Sequence, residues 1–137
     1  MREEHCIFCR IANGEIPSST IYEDEDFRVF LDLNPATRGH ALLVPKEHYG
    51  NLFELEDGLC EKAIVLAKRI AGRMKKALGC DGMNLVQNNG EAAGQTVFHF
   101  HLHLIPRYQG DTAGITWTPG KASEKELEEL VALLSEE

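Results

Sequence analysis

Basic residues are scarce in this chain: Lys and Arg number 14 against 22 Asp and Glu, a formal net charge of −8. Polymeric nucleic acid is held mainly by Lys and Arg on phosphates, so the balance speaks against such a partner. It leaves room for a small nucleotide gripped by backbone N–H groups and neutral side chains. Long apolar runs are also missing. A membrane-spanning helix needs roughly 18 or more apolar residues in a row, and no such stretch occurs. The opening Met1-Arg2-Glu3-Glu4-His5 is not the pattern of a secretory signal, so a cytoplasmic protein is expected. Cysteines number only four. In a reducing compartment, Cys6-Ile7-Phe8-Cys9 reads as a metal-binding or redox pair rather than a structural disulfide. Repeats, low-complexity tracts and linkers are absent. With 137 residues, 43% hydrophobic and 26% charged, residues 1–137 are expected to form one domain with its own core.

Histidine, by contrast, is concentrated. Three of the six lie in Val97-Phe98-His99-Phe100-His101-Leu102-His103-Leu104-Ile105, at every second position. This alternation predicts a β-strand with three imidazoles on one face and a buried apolar face opposite. At ~3.3 Å per residue the outer two histidines would stand about 13 Å apart, too far to share one ion. A division of labour follows: one end for structure, the middle and the other end for chemistry. A polar barrel face or a His-rich metal tract would be the plain alternatives.

Upstream, Thr20–Glu23 and Phe27–Leu31 read as a hairpin around Asp24-Glu25-Asp26. A long loop, 32–39, leads to a strand over His40–Val44, stopped by Pro45. A helix is expected from about Asp57 to Leu78, with Asp57 as N-cap and Gly79 as terminator. Its stripe is Leu59, Ala63, Ile64, Leu66, Ala67, Ile70, Ala71, Met74, Ala77 and Leu78. Met83–Gln87 reads as a fourth strand and 88–94 as a polar loop. Ser123 and Glu126 form a capping box before a last amphipathic helix carrying Leu127, Leu130, Val131 and Leu134. The class is α+β: a mostly antiparallel sheet with one long helix and a C-terminal helix, the helices on one face.

Several residues can support chemistry. A neutral imidazole is a competent nucleophile toward phosphorus once its tautomer is set by a neighbour. His101, flanked by His99 and His103, is so placed, and His40 is a candidate to orient its ring. Gln95, Thr96 and His103 are candidate donors to the charge that develops on phosphoryl oxygens. Gly94 permits close backbone approach. Asp32 can accept two hydrogen bonds from a ribose diol. Ile7, Phe8, Ile11 and Phe30 could sandwich a base, or simply be core.

The run His-apolar-His-apolar-His-apolar-apolar, with Gly94-Gln95-Thr96 before it and Ile105-Pro106-Arg107 after it, resembles the signature of the histidine triad (HIT) family of nucleotidyl hydrolases and transferases. The resemblance covers residues 6–108; the tail, 109–137, carries no signature. It implies that His101 attacks the α-phosphate of a nucleotide and that water hydrolyses the nucleotidyl-histidine. It also implies that Gln95 contacts the leaving-group oxygen, while Thr96 and the backbone around Val97 hold the α-phosphate. Asn88 would touch the nucleotide near ribose and phosphate. Asp32, followed by apolar Leu33, would bind ribose. His40 matches a family histidine that follows the ribose loop. A subset of HIT-related proteins binds one zinc through a CxxC, a Pro-Lys-x-His turn and the first triad histidine. Here these are Cys6, Cys9, His48 and His99, a closed set suited to structural zinc. His5 is a nearby competitor, and Cys60 and Cys80 would complete a rival four-cysteine site. The resemblance further implies a homodimer and a purine nucleotide phosphoramidate as substrate. The alternatives are a dinucleoside polyphosphate hydrolase, a nucleotide-binding regulatory protein with incidental activity, and a zinc-stabilised interaction module.

Overall fold

The computed structural model describes residues 2–135. Five antiparallel strands form one sheet in the order β1-β2-β3-β5-β4. They are β1 (Thr20–Glu23), β2 (Phe27–Leu31), β3 (Ala41–Pro45), β4 (Gly82–Val86) and β5 (Leu102–Arg107). The helices are α1 (Ile7–Ala12), α2 (Asp57–Leu78) and α3 (Glu124–Leu134), with a single 3₁₀ turn at Glu91–Ala93. The α+β architecture is the one expected from the sequence.

Local chemistry explains most of the boundaries. The β1–β2 turn closes because Asp24 Oδ1 accepts from the backbone N–H groups of Asp26 and Phe27, each at 2.8 Å. Gly79 ends α2 in the left-handed conformation, φ 62°, which costs glycine no Cβ clash. At the other end the cap is Glu56, without a side-chain hydrogen bond, and Asp57 is already helical. Asp57 therefore acts through its charge in the first turn rather than as the N-cap expected of it.

β3 is central and buried throughout. Its odd-numbered residues and those of β2, Phe27, Val29, Ala41 and Leu43, pack with Phe100, Leu102 and Leu104 against Ala63, Leu66, Ala67, Ile70 and Met74 of α2. Ile64 and Ala77 of the expected stripe face outward instead. The opposite face is Phe30, Leu42 and Val44, covered by Phe8 and Ala12 of α1. α1, a helix of six residues around the CxxC, is too short for periodicity to reveal. The helices thus lie on both faces, not one.

The triad segment also departs from expectation. β5 begins only at Leu102, and residues 97–101 reach it as irregular chain. Pairing stops there on both sides: β4 ends at Val86↔His103, and β3, although it continues to Pro45 beside β2, pairs with the triad segment only as far as Leu43↔Leu102. Beyond that, the Phe100 N–H donates to the Tyr49 carbonyl at 2.6 Å instead. Without a ladder, strict alternation is not imposed. Phe98 is 55% exposed, whereas Phe100 and Leu102 are core.

Candidate active site

The three triad histidines have different partners, and each partner sets a tautomer. His101 Nδ1 lies 2.7 Å from the His99 carbonyl oxygen. A carbonyl only accepts, so the proton sits on Nδ1 and the Nε2 lone pair is free. Burial lowers the affinity of His101 for a second proton, against the opposing pull of the His99 carbonyl and Asp32. The neutral, nucleophilic form is therefore the resting one.

His103 is governed from β3. The pairing Leu42↔His103 and Ala41↔Leu104 brings the start of β3 against β5. His40 Nε2 then lies 2.9 Å from His103 Nδ1. The direction of that bond follows from the other side of His40, where Nδ1 accepts from the Ala36 N–H at 2.9 Å. His40 must carry its proton on Nε2 and donate it to His103 Nδ1. His103 is left with its proton on Nε2, as a donor toward the site. Asp32 Oδ2 stands 3.6 Å from His40 Nε2, and Asp32 Oδ1 accepts from the Asn34 N–H. Burial pushes His103 down to about 4 and lowers His40 as well. His40 was expected to orient His101. It orients His103, and a backbone carbonyl orients His101.

His99, fully buried, belongs to a different cluster. Its Nε2–H donates to the Pro45 carbonyl at 2.8 Å, turning the Nδ1 lone pair toward Cys6 Sγ (3.3 Å) and Cys9 Sγ (3.4 Å). His48 Nδ1 is 3.3 Å from Cys9 Sγ. The four ligand atoms all lie within 4.8 Å of one another. A tetrahedral ion with Zn–S near 2.3 Å and Zn–N near 2.05 Å sets its ligand atoms roughly 3.3–3.8 Å apart, so the donor set fits zinc. Backbone N–H groups of Glu3 and Cys9 reach Cys9 Sγ and Cys6 Sγ, as they would toward thiolates. Burial pushes the Cys9 thiol up to about 11, a penalty on the thiolate that a bound cation reverses. Cys60 and Cys80 stay outside this cluster: Cys60 meets the Leu55 carbonyl, and Cys80 is buried beyond α2. His5 is not among the four either.

The loop before the triad is braced by Gln95, which is 2% exposed. Its Oε1 accepts from the Gly90 N–H, and its Nε2 donates to the carbonyls of Gly50 and Val97. Both amide hydrogens are consumed by backbone. In this arrangement Gln95 braces the loop. Thr96 is exposed beside it, and Gly94 adopts φ 96°, with its Cα facing the Asn88 amide. The Phe8 and His101 rings stand perpendicular with centroids 4.9 Å apart, and Phe8 also meets Phe30. Phe8 thus links Phe30 to His101. Ile7 and Leu33 are exposed, at 51% and 89%.

Residues 13–110 match the family model described as the HIT domain. The protein Hit of Bacillus subtilis is 45% identical over 83% of this chain and 79% of its own length. An adenosine 5'-monophosphoramidase of Schizosaccharomyces pombe is 38% identical, covering 91% of this chain and 92% of that one. Among solved structures, SMU.412c of Streptococcus mutans superposes with a TM-score of 0.92 at 41% identity, over 97% of this chain and 85% of that one. A Zn-bound histidine triad protein of Mycobacterium smegmatis does so at 0.77 and 39%, over 96% of each chain. Sequence and structure agree, and the chain belongs to the HIT domain family.

Proposed function

We propose that the chain is a nucleotidyl hydrolase acting on purine nucleotide phosphoramidates through a nucleotidyl-histidine on His101. The observation that carries this reading is the pair of opposed tautomers at the site: a lone pair on His101 Nε2 and, one step along, an N–H on His103 Nε2. A nucleophile and a donor side by side suit phosphoryl transfer. His101 Nε2 attacks the α-phosphorus. The P–N bond to the leaving amine breaks, its electron pair goes to that nitrogen, and the nitrogen takes one proton from solvent water. Water then attacks the same phosphorus, the P–Nε2 bond breaks with its electron pair returning to His101 Nε2, and the monophosphate is released as the attacking water's two protons pass to solvent, one of them replacing the proton taken by the amine. The His103 N–H and backbone N–H groups around Thr96 and Val97 hold the non-bridging oxygens. Asn88 meets the nucleotide between ribose and phosphate, Asp32 accepts from the ribose hydroxyls, and Leu33 and Ile7 flank the base.

Zinc held by Cys6, Cys9, His48 and His99 is structural in this reading, one per subunit; the ion fastens α1 to the start of the triad segment. The reading takes the protein as cytoplasmic, where such thiols stay reduced. The working unit is a homodimer. The relative named as an adenosine 5'-monophosphoramidase supports the substrate class.

The test is a comparison on one batch of protein at pH 7, with adenosine monophosphate as common product. A higher kcat/KM is expected for an adenosine phosphoramidate, or for the monophosphate joined to a lysine-like amine, than for diadenosine tri- or tetraphosphate. Faster cleavage of the polyphosphates would make this a dinucleoside polyphosphate hydrolase with the same nucleophile. Binding without turnover of either would make it a regulatory nucleotide-binding protein.

A further inference from the structure

Three amide side chains in a row, Gln87, Asn88 and Asn89, follow the end of β4, and they are used very differently. β4 runs antiparallel to β5, with Leu85↔Leu104 and then Val86↔His103. Carried two residues further, that register sets Asn88 level with His101. The ladder has ended by then, so strand pairing does not fix the backbone at Asn88. Side chains take over that task.

Asn89 Oδ1 accepts from the Leu52 N–H at 2.7 Å. A backbone N–H only donates, so the oxygen of the Asn89 amide must face it. Asn89 Nδ2 is thereby free to donate to Gln87 Oε1, at 2.8 Å. Gln87 Nε2 in turn donates to Asn89 Oδ1 at 2.9 Å and to the Asn88 carbonyl at 3.2 Å. The two amides close a ring of hydrogen bonds across the Asn88 backbone, and Leu52 anchors that ring to the loop after Tyr49.

The amide of Asn88 itself is unspent. Among the described residues it has no hydrogen-bond partner; only its carbonyl is engaged, by Gln87. It is half-buried, and its Nδ2 lies 3.6 Å from where a Cβ on Gly94 would stand. It is thus held over the turn that leads into the triad, while both neighbours spend their amides on each other.

We propose that Gln87 and Asn89 are positioning residues: their amide pair fixes the backbone of Asn88 and so aims its free amide at the nucleotide. The inference rests on the reading of Asn88 as a nucleotide contact given above. A side chain that must be ordered as the ligand binds weakens the affinity, and the pair orders this one beforehand.

The test is calorimetric titration of adenosine monophosphate into the full-length protein. Asn89→Ala and Gln87→Ala are each expected to raise Kd about three- to tenfold, the usual effect of freeing one such side chain. Because they remove the same ring, the double variant should bind no more weakly than either single one. In an Asn88→Ala background neither change should raise Kd further, which a general loosening of the structure would not reproduce. Melting curves of all variants accompany the titrations. Gln87→Ala leaves the bond from Leu52 to Asn89 in place, so it carries the test if Asn89→Ala melts early. A loss of affinity just as large without Asn88 overturns the proposal, and so does wild-type affinity in both single variants while Asn88→Ala binds weakly. Full affinity in Asn88→Ala overturns it together with the reading of Asn88 as a nucleotide contact.

Discussion

At the scale of single residues, the site works by fixing where protons sit. His101 Nε2 is free because a carbonyl holds Nδ1–H. In the proposed mechanism the imidazole carries the covalent step, so His101→Ala should lower kcat by several powers of ten while nucleotide binding persists. Single-turnover assays with calorimetric binding check this, and a variant retaining a tenth of the rate rules His101 out as nucleophile. Gln95 should behave differently. Gln95→Ala leaves the Gly90 N–H and the carbonyls of Gly50 and Val97 without their buried partner, at a cost of about 1–3 kcal/mol. Urea unfolding should show that loss, with Gln95→Glu recovering only the bond from Gly90. His103 carries a pH signature. Its folded-state value, pushed down to about 4, lies below the ordinary 6.5, so the unfolded chain binds more protons in between. Its contribution to stability is present above pH 6.5 and fades as pH falls toward 4. Unfolding free energy should therefore drop less steeply across that window in His103→Gln than in the wild type. Equal slopes would mean His103 is not held neutral by its site.

Among elements, α1 shows how a short segment is made stable. Six residues cannot sustain a helix alone. Phe8 and Ala12 pack on Phe30, Leu42 and Val44, while Cys6 and Cys9 close on His48 and His99. The protein should carry about one zinc per chain, as structural sites of this donor set do. Cys6→Ser/Cys9→Ser should lose it and unfold at lower temperature, because metal binding free energy is folding free energy. Elemental analysis beside a melting curve decides; a double variant that keeps its zinc would reassign the ligands. The element most legible in the sequence was α2, whose bounds, 57–78, match the apolar periodicity. The hairpin strands are equally faithful, since alternation and the Asp24 turn are local signals. The triad strand was misread over residues 97–101 because periodicity reports side-chain character, not whether a neighbouring strand actually pairs with the segment.

For the whole molecule, charge is the governing quantity. A net charge of −8 repels a polyphosphate more than a monophosphate joined to an amine. The preference for phosphoramidate over diadenosine tetraphosphate should therefore shrink as ionic strength rises from about 10 mM to about 0.5 M, where screening is nearly complete. A ratio unchanged by salt would place the preference in the leaving-group chemistry alone. By itself the sequence determined the family, the α+β class, the nucleophile candidate and the four Cys and His residues that gather in one cluster. Those are written in residue types and spacings, and the spacings survive folding. Only the tertiary structure decided which atom of each histidine is free. The deciding partners are backbone groups, the carbonyls of Pro45 and His99 and the N–H of Ala36, which every residue possesses and no motif can mark. It also moved His40 from His101 to His103 and set Gln95 to brace the loop against Gly50, because strand register and loop closure bring together groups far apart in the chain.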